Sequence, residues 1–361
     1  MAKSPKLHHQ IHHRIKHVAQ SEQLKWHRRF IILLLLSLIG LWYTLHNYNQ
    51  NLETASKNTD VHFGVTYSPY YAAELGLDPK TTFTDMLTTV GIKKVRLSAY
   101  WSKIEPQSGV YDFSDLDYYL AQAKEHNATV ILAFGYKAPR WPECYQPDWL
   151  KNAPIATQRL ERLKMIATVV NRYKSYSHIE AWQVENEPFF AFGECQKTSP
   201  ELLANEVSLV RSISHKPVIV TDSGEYGTWI TSMQLSDIFG TTLYRDAYFA
   251  PFGHLNFPIK PWYYRFKSLL VRTFFAPNNQ KTIVIELQAE PWPSRPLNTV
   301  SVNEQIALFS PESFSDNIIY AKRSGFEDIY LWGVEWWYFM KDQGHPEYLQ
   351  MIQKFNNSAQ Q

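Results

Sequence analysis

An α/β fold, a (β/α)8 or TIM barrel preceded by a single membrane-crossing helix, is what this sequence predicts. Three observations predict it. Short apolar runs alternate with amphipathic helical segments from residue 61 onward, with no Gly/Ser-rich linker or low-complexity break. Eight such runs fit into about 300 residues, the size of an eight-stranded parallel barrel. Ionisable and aromatic residues gather directly after the runs, where the loops of such a barrel form its active face.

The N-terminus comes first. Residues 1–29 carry Lys3, Lys6, Arg14, Lys16, Lys25, Arg28 and Arg29 against Glu22 alone, with six of the 13 histidines, including "HHQIHH" at 8–13. This reads as a basic, His-rich cytoplasmic leader lying near anionic head groups rather than as a metal site. Residues 30–45, "FIILLLLSLIGLWYTL", are uncharged and apolar, follow Arg28 and Arg29, and end in Trp42 and Tyr43, which favour a membrane interface. The run is short for a span of about 17–25 residues, yet no small-x-small cleavage pattern follows it, so 30–48 reads as an uncleaved signal anchor. By the positive-inside rule the leader stays in the cytoplasm, the chain crosses the membrane once, and everything beyond residue 48 is extracytoplasmic. Residues 49–60 read as a polar stem and 61–357 as the barrel domain.

Strands are expected at 61–67, 93–99, 128–135, 179–185, 217–222, 241–245, 282–287 and 328–334, all apolar-rich. Helical periodicity is expected at 82–91, 112–127, 157–177 and 302–325. Alternating strands and helices imply βαβ units and a parallel sheet. The phosphate-binding glycine fingerprint of a doubly wound sheet is missing after the first strand, which leaves the barrel.

Composition narrows the function. Net charge is +2 and the positive excess sits in the leader, so the remainder is mildly acidic and gives no case for nucleic acid. Aromatic content is 15%, with 12 Trp and 22 Tyr, which favours flat, stackable ligands such as the sugars of an oligo- or polysaccharide. The exported part has no metal-ligand spacing, no P-loop and no G-x-S-x-G elbow, so no metal and no cofactor is implied. Two carboxylates at matched heights in an aromatic pocket are what glycoside hydrolysis requires: one protonates the leaving oxygen, the other attacks or activates water. Glu187, in "NEP" after the fourth strand, and Glu286, ending the seventh, form the best pair. Glu185 competes with the first and Glu290 with the second, and any strand-end Glu can instead cap a helix or pair with an arginine. Trp101, Trp141, Phe189, Trp292, Trp336 and Trp337 lie near strand ends, where aromatics either stack on sugars or pack loops together.

"NEP" after the fourth strand, a glutamate closing the seventh, "VRLSAYWSKIEPQSGVYDFSDLD" around the second and Trp332 on the eighth together resemble the clan A retaining glycoside hydrolases, the cellulase-like and β-galactosidase-like barrels. The likeness runs from about residue 61 to 340. It implies a retaining glycosidase acting on β-linked glycans, with Glu187 as general acid/base and Glu286 as nucleophile. It also implies that Asn186 bonds the sugar 2-hydroxyl and that Arg96 supplies a cation beneath the nucleophile. Tyr244 would bond the nucleophile and Trp332 would floor the sugar site. Trp101, Trp141, Glu290 and Trp292 are further substrate-binding candidates. The chain departs from the cellulase-like pattern in having "FGYKAPRW" and "LYRDAYF" where histidines are common, and Tyr248 is an alternative to Tyr244. Cys144 and Cys195 follow the third and fourth strands, so in an exported domain they are a candidate disulfide across one rim of the barrel. Two other functions share these features: a non-catalytic carbohydrate-binding barrel at the cell surface, and a transglycosylase using the same intermediate.

Overall fold

The computed structural model describes residues 5–56, 60–195, 198–249, 251–278 and 281–359, arranged in two units, Met1–Thr54 and Ala55–Gln361.

The first unit is helical throughout its described residues, within one 52-residue helix, Pro5–Ser56. It is longer than the 30–48 segment expected and takes in both the basic leader and most of the stem. No proline follows Pro5 as far as Ser56, and the single glycine there, Gly40, costs a helix only about 1 kcal/mol. Lys25–Leu52 is long and apolar enough to cross a membrane, and its apolar side chains, such as Leu33 and Ile39, are exposed. The rest of the stem, 57–59, falls outside the described residues.

The second unit is a barrel. Its strands are β1 (His62–Thr66), β2 (Lys94–Tyr100), β3 (Thr129–Gly135), β4 (Ile179–Val184), β5 (Val218–Asp222), β6 (Ile238–Leu243), β9 (Lys281–Gln288) and β10 (Asp328–Trp332). They close in the order β1-β10-β9-β6-β5-β4-β3-β2, every neighbour parallel. A two-stranded hairpin, β7 (Asp246–Phe249) with β8 (Gly253–Asn256), was not anticipated and fills the loop after β6. Two departures from the sequence reading have a clear local cause. β6 begins at Ile238, so its expected range was three residues late; it ends at Leu243 because the next three N–H groups leave the ladder, Tyr244 donating to Glu225 and Arg245 and Asp246 to the Gln288 side chain. The helix expected over 302–325 breaks into Val302–Leu308 and Pro311–Lys322, because Ser310 caps the second piece and Pro311 occupies its first turn.

Strand alternation sorts the side chains into two layers. On β2, Val95, Leu97 and Ala99 belong to the apolar layer shared with the surrounding helices. Lys94, Arg96 and Ser98 alternate with them on the opposite face. Ile131, Ala181, Ile219, Ile283, Ile285 and Tyr330 form a separate small cluster. At the strand starts Lys94 pairs with Glu180 and Asp328, and Lys281 also pairs with Asp328. Gly64 is needed here: a Cβ on it would stand 2.6 Å from the Tyr330 ring, whose hydroxyl donates to Glu180. The strand ends, by contrast, carry buried polar groups, and these make the site.

Candidate active site

Past Val184 the chain leaves β4 through Glu185 and Glu187, both in the left-handed region at φ 60° and 41°. Such backbone costs a non-glycine residue about 1–3 kcal/mol and persists only where surrounding contacts impose it. Here the contacts are evident. The Glu185 carboxylate accepts the Tyr136 and Lys137 N–H groups, each at 2.7 Å, and Arg162 lies 3.6 Å away. Gly135 makes the approach possible, since a Cβ there would meet the Glu185 carboxylate at 2.7 Å. Glu185 is therefore occupied in joining the β3 and β4 loops.

Glu187 turns the other way. Its N–H donates to Thr221 Oγ1 at 2.8 Å and its carboxyl lies 3.2 Å from Thr242 Oγ1. Burial, then the negative charges of Glu286 and Glu143, push this carboxyl well above the usual range, partly opposed by Lys137. Glu286 is equally buried but paired with a cation: Arg96 Nη1 donates to Oε1 at 2.7 Å, and the Tyr244 hydroxyl donates to Oε2 at 3.0 Å. Arg96, fully buried, also donates from Nη2 to Asn186 Oδ1 at 2.6 Å and from Nε to Gln183 Oε1 at 2.7 Å. One guanidinium thus fixes both the Glu286 carboxylate and the asparagine beside Glu187. Tyr244 is pushed well above its ordinary value, chiefly by burial and then by Glu286. Tyr248 packs against His254 within the hairpin, so Tyr244 is the tyrosine that reaches Glu286.

Two groups of site residues were not read from the sequence. The first comes from "KAPRWPEC", where Arg140 and Glu143 both have positive φ, 82° and 59°. Glu143 is buried, accepts from Asn186 Nδ2 at 3.3 Å, and lies 3.3 Å from Lys137 Nζ, which also donates to the carbonyls of Glu187 and Phe190. Burial pushes the Glu143 carboxyl up to about 8, against the pull of Lys137. Arg140 bonds Glu290 and Glu335, and its guanidinium lies between the rings of Tyr71 and Trp332, at 4.1 and 4.2 Å. Glu290 is thereby held in an ion-pair cluster, with one carboxylate oxygen left unbonded, while Glu286 carries the bonds to Arg96 and Tyr244. The second group is Glu225, which accepts from the Tyr244 N–H and the Tyr264 hydroxyl, and whose carboxyl burial pushes up to about 7. The Thr242 hydroxyl stands between Glu187 and Glu225.

The aromatic expectations divide. Trp141 is 66% exposed, and Trp292 is half-buried against Phe192 and Tyr244, so these two border open space. Trp332 is almost buried, with one face covered by Arg140. Phe189 is half-buried against the core. Trp101, expected to bind substrate, must be corrected, and Trp336 and Trp337 take the packing alternative: all three are fully buried and spend their indole N–H on Glu105, Gln305 and the Ala289 carbonyl. No ring face is left for a sugar. Trp101 and Glu105, with Gly109 donating to the same carboxylate, brace the loop after β2. Cys144 and Cys195 form a disulfide across 51 residues, tying the β3 loop to the β4 loop; closing such a loop removes about 4 kcal/mol of unfolded-state entropy.

An eight-stranded barrel with two buried glutamates at its strand ends is the architecture of the clan A glycoside hydrolases, and comparison with known proteins supports that class. A family profile for glycoside hydrolase family 42, described as β-galactosidase, matches residues 78–206, just over a third of the chain. The chain is 23% identical over 165 residues to β-galactosidase BgaA of Clostridium cellulovorans, covering 40% of this chain and 25% of that protein. It is 28% identical over 152 residues to β-galactosidase BgaH of Haloferax lucentense, covering 34% and 21%. These curated relatives are matched over about a quarter of their length or less. Among solved structures, the fold is shared with exo-β-1,4-mannosidase Op5Man5 from Opitutaceae bacterium strain TAV5 (TM-score 0.54, 13% identity, 82% of this chain, 59% of that one). It is shared too with a GH5_18 protein from Bifidobacterium longum (TM-score 0.53, 12% identity, 76% and 70%).

Proposed function

We propose that this chain is a retaining β-glycosidase whose general acid/base is Glu187 and whose nucleophile is Glu286. The observation that carries the reading is the contrast between the two carboxyls. Glu187 is buried among negative charges with a raised pKa, which suits an acid; Glu286 has a guanidinium and a phenol on its two oxygens, which suits a charged nucleophile. In the first step Glu286 attacks the anomeric carbon, the glycosidic C–O bond breaks, and Glu187 gives its proton to the leaving oxygen. In the second, Glu187 takes a proton from water, the water oxygen attacks the same carbon, and Glu286 leaves. Asn186, its amide oriented by Arg96 and Glu143, would hold the sugar 2-hydroxyl. Trp141, Trp292 and Trp332 would line the sugar path, and Glu290 the edge beside Trp332.

β-Galactosides are the first substrates to try, because the curated relatives with sequence similarity bear that name. The test is proton NMR of 4-nitrophenyl β-D-galactoside, β-glucoside and β-mannoside during turnover. The β-anomer of the free sugar should appear first. First appearance of the α-anomer would overturn retention. New glycosides formed with added acceptor would identify a transglycosylase, and binding without turnover of any sugar would favour the carbohydrate-binding reading. We further propose that Lys25–Leu52 holds the domain to the membrane as a single-pass anchor, with the basic leader inside and the disulfide-bonded barrel outside; the apolar helix, the leader's charge and the disulfide support this. Protease added outside sealed cells should remove the barrel, and full protection would contradict the topology.

A further inference from the structure

The helix Pro261–Phe274 is apolar on two opposite faces. Tyr264, Ser268 and Val271 are buried against the barrel. Phe266, Leu269, Leu270 and Phe274, at positions i, i+3, i+4 and i+8, form a second stripe that is 36–74% exposed, and Phe275, just past the helix, is 45% exposed. Just upstream, the hairpin exposes Phe252 and Leu255. Another outer helix, Ile155–Tyr173, differs: it exposes Ile155 and Leu160 among Arg159 and the Glu161–Lys164 ion pair. Single exposed apolar residues are ordinary, whereas a continuous stripe marks a surface that something covers.

Charge indicates what covers it. From 247 to 285 the chain has no Asp or Glu, but it has Lys260, Arg265, Lys267, Arg272 and Lys281. Lys267 turns inward onto the Gly224 and Gly227 carbonyls, and Lys281 pairs with Asp328. Among the described residues Lys260, Arg265 and Arg272 have no acidic partner, and they border the apolar stripe. A second copy of the chain fits badly, because a two-fold contact would set these cations against their own equivalents. An anionic bilayer fits well: an amphipathic helix with large apolar side chains on one face and cations at its edges lies in the head-group plane. A membrane-crossing Lys25–Leu52 on the same chain would raise the effective concentration of such a surface at the bilayer.

We propose that Pro261–Phe274 docks the barrel on an anionic membrane, with Phe266, Leu269, Leu270 and Phe274 below the head groups and Lys260, Arg265 and Arg272 among the phosphates. The glycosidase reading is not needed for this. The full chain is reconstituted into vesicles containing phosphatidylglycerol with a photo-activatable acyl chain, and lipid-bearing peptides are mapped by mass spectrometry. Wild type should give adducts on peptides from 262–275 as well as from 30–45. Leu270→Glu/Phe274→Glu should reduce the first set at least tenfold and keep the second, with an unchanged melting curve, since both side chains are already exposed. Wild type without adducts on 262–275, whatever happens at 30–45, overturns the proposal. So do adducts indifferent to the double substitution, and so does cross-linking that joins this helix to another copy of the chain instead of to lipid.

Discussion

Replacing Arg96 tests the physical basis of the site without any substrate. Arg96→Met keeps most of the side-chain stem but leaves four acceptors behind. Among the described residues Glu286 Oε1 loses its one cationic partner, Gln183 Oε1 loses its 2.7 Å donor, Thr66 Oγ1 loses a long contact at 3.4 Å, and Asn186 Oδ1 keeps Gln183 Nε2 at 3.3 Å. Breaking a buried ion pair from one side costs about 3–5 kcal/mol, and each orphaned buried acceptor adds about 1–3 kcal/mol. The single substitution should therefore cost about 4–8 kcal/mol, a large part of the roughly 5–15 kcal/mol that holds a domain folded. Adding Glu286→Gln removes the unpaired charge, so the double variant should be more stable than Arg96→Met alone, with a coupling of about 3 kcal/mol. Urea unfolding of the four proteins in detergent, followed by tryptophan fluorescence, measures the cycle. Additivity within about 0.5 kcal/mol would refute the claim that one buried guanidinium neutralises Glu286.

Further outcomes are expected. Glu143→Gln takes away a negative charge that raises the Glu187 carboxyl and leaves the Lys137 cation unopposed, so the alkaline limb of the kcat/KM profile should move to lower pH; an unmoved limb contradicts the coupling. Glu225 has a folded-state value of about 7 against an ordinary 4.5, so its contribution to stability is present in acid and lost as pH rises from about 4.5 through about 7. That rise corresponds to about 3 kcal/mol, and in Glu225→Gln the fall in Tm between pH 5 and 8 should be visibly shallower. Gly135→Ala places a Cβ 2.7 Å from the Glu185 carboxylate at φ +144°, which should cost at least about 2 kcal/mol and lower kcat by displacing the β4 loop. A stable, fully active variant would show that this contact does not shape the loop.

The barrel was legible because each of its strands is an apolar run bounded by loop residues, and Glu286 because it ends such a run. Glu187 was legible through its Asn and Pro neighbours. What failed to show was whatever depends on the meeting of distant loops. Arg140 finds Glu290 and Glu335 across 150 and 195 residues, and Glu143 finds Asn186 only because the β3 and β4 loops are laced together. Nothing periodic in "KAPRWPEC" announces either. Trp101 was placed in the sugar site, and Trp336 and Trp337 were left between stacking and packing, for a different reason. Strand ends give way there to the short helices Trp101–Ile104 and Val334–Asp342, and helical phase, not nearness to the strand end, decides which way an indole points. The sixth strand was placed late because Ile238 and Phe239 sit directly after the helix Ile230–Leu235, with little between to mark the boundary.

The most direct test of the two-glutamate assignment is intact-mass and peptide mass spectrometry after exposure to 2-deoxy-2-fluoro glycosides of galactose, glucose and mannose bearing a dinitrophenyl leaving group. One such sugar should remain covalently attached to Glu286 in the wild type and in Glu290→Gln, and the adduct should be absent from Glu286→Gln. Attachment at Glu290 or at any other residue, or steady turnover of a β-glycoside by Glu286→Gln, would contradict the assignment.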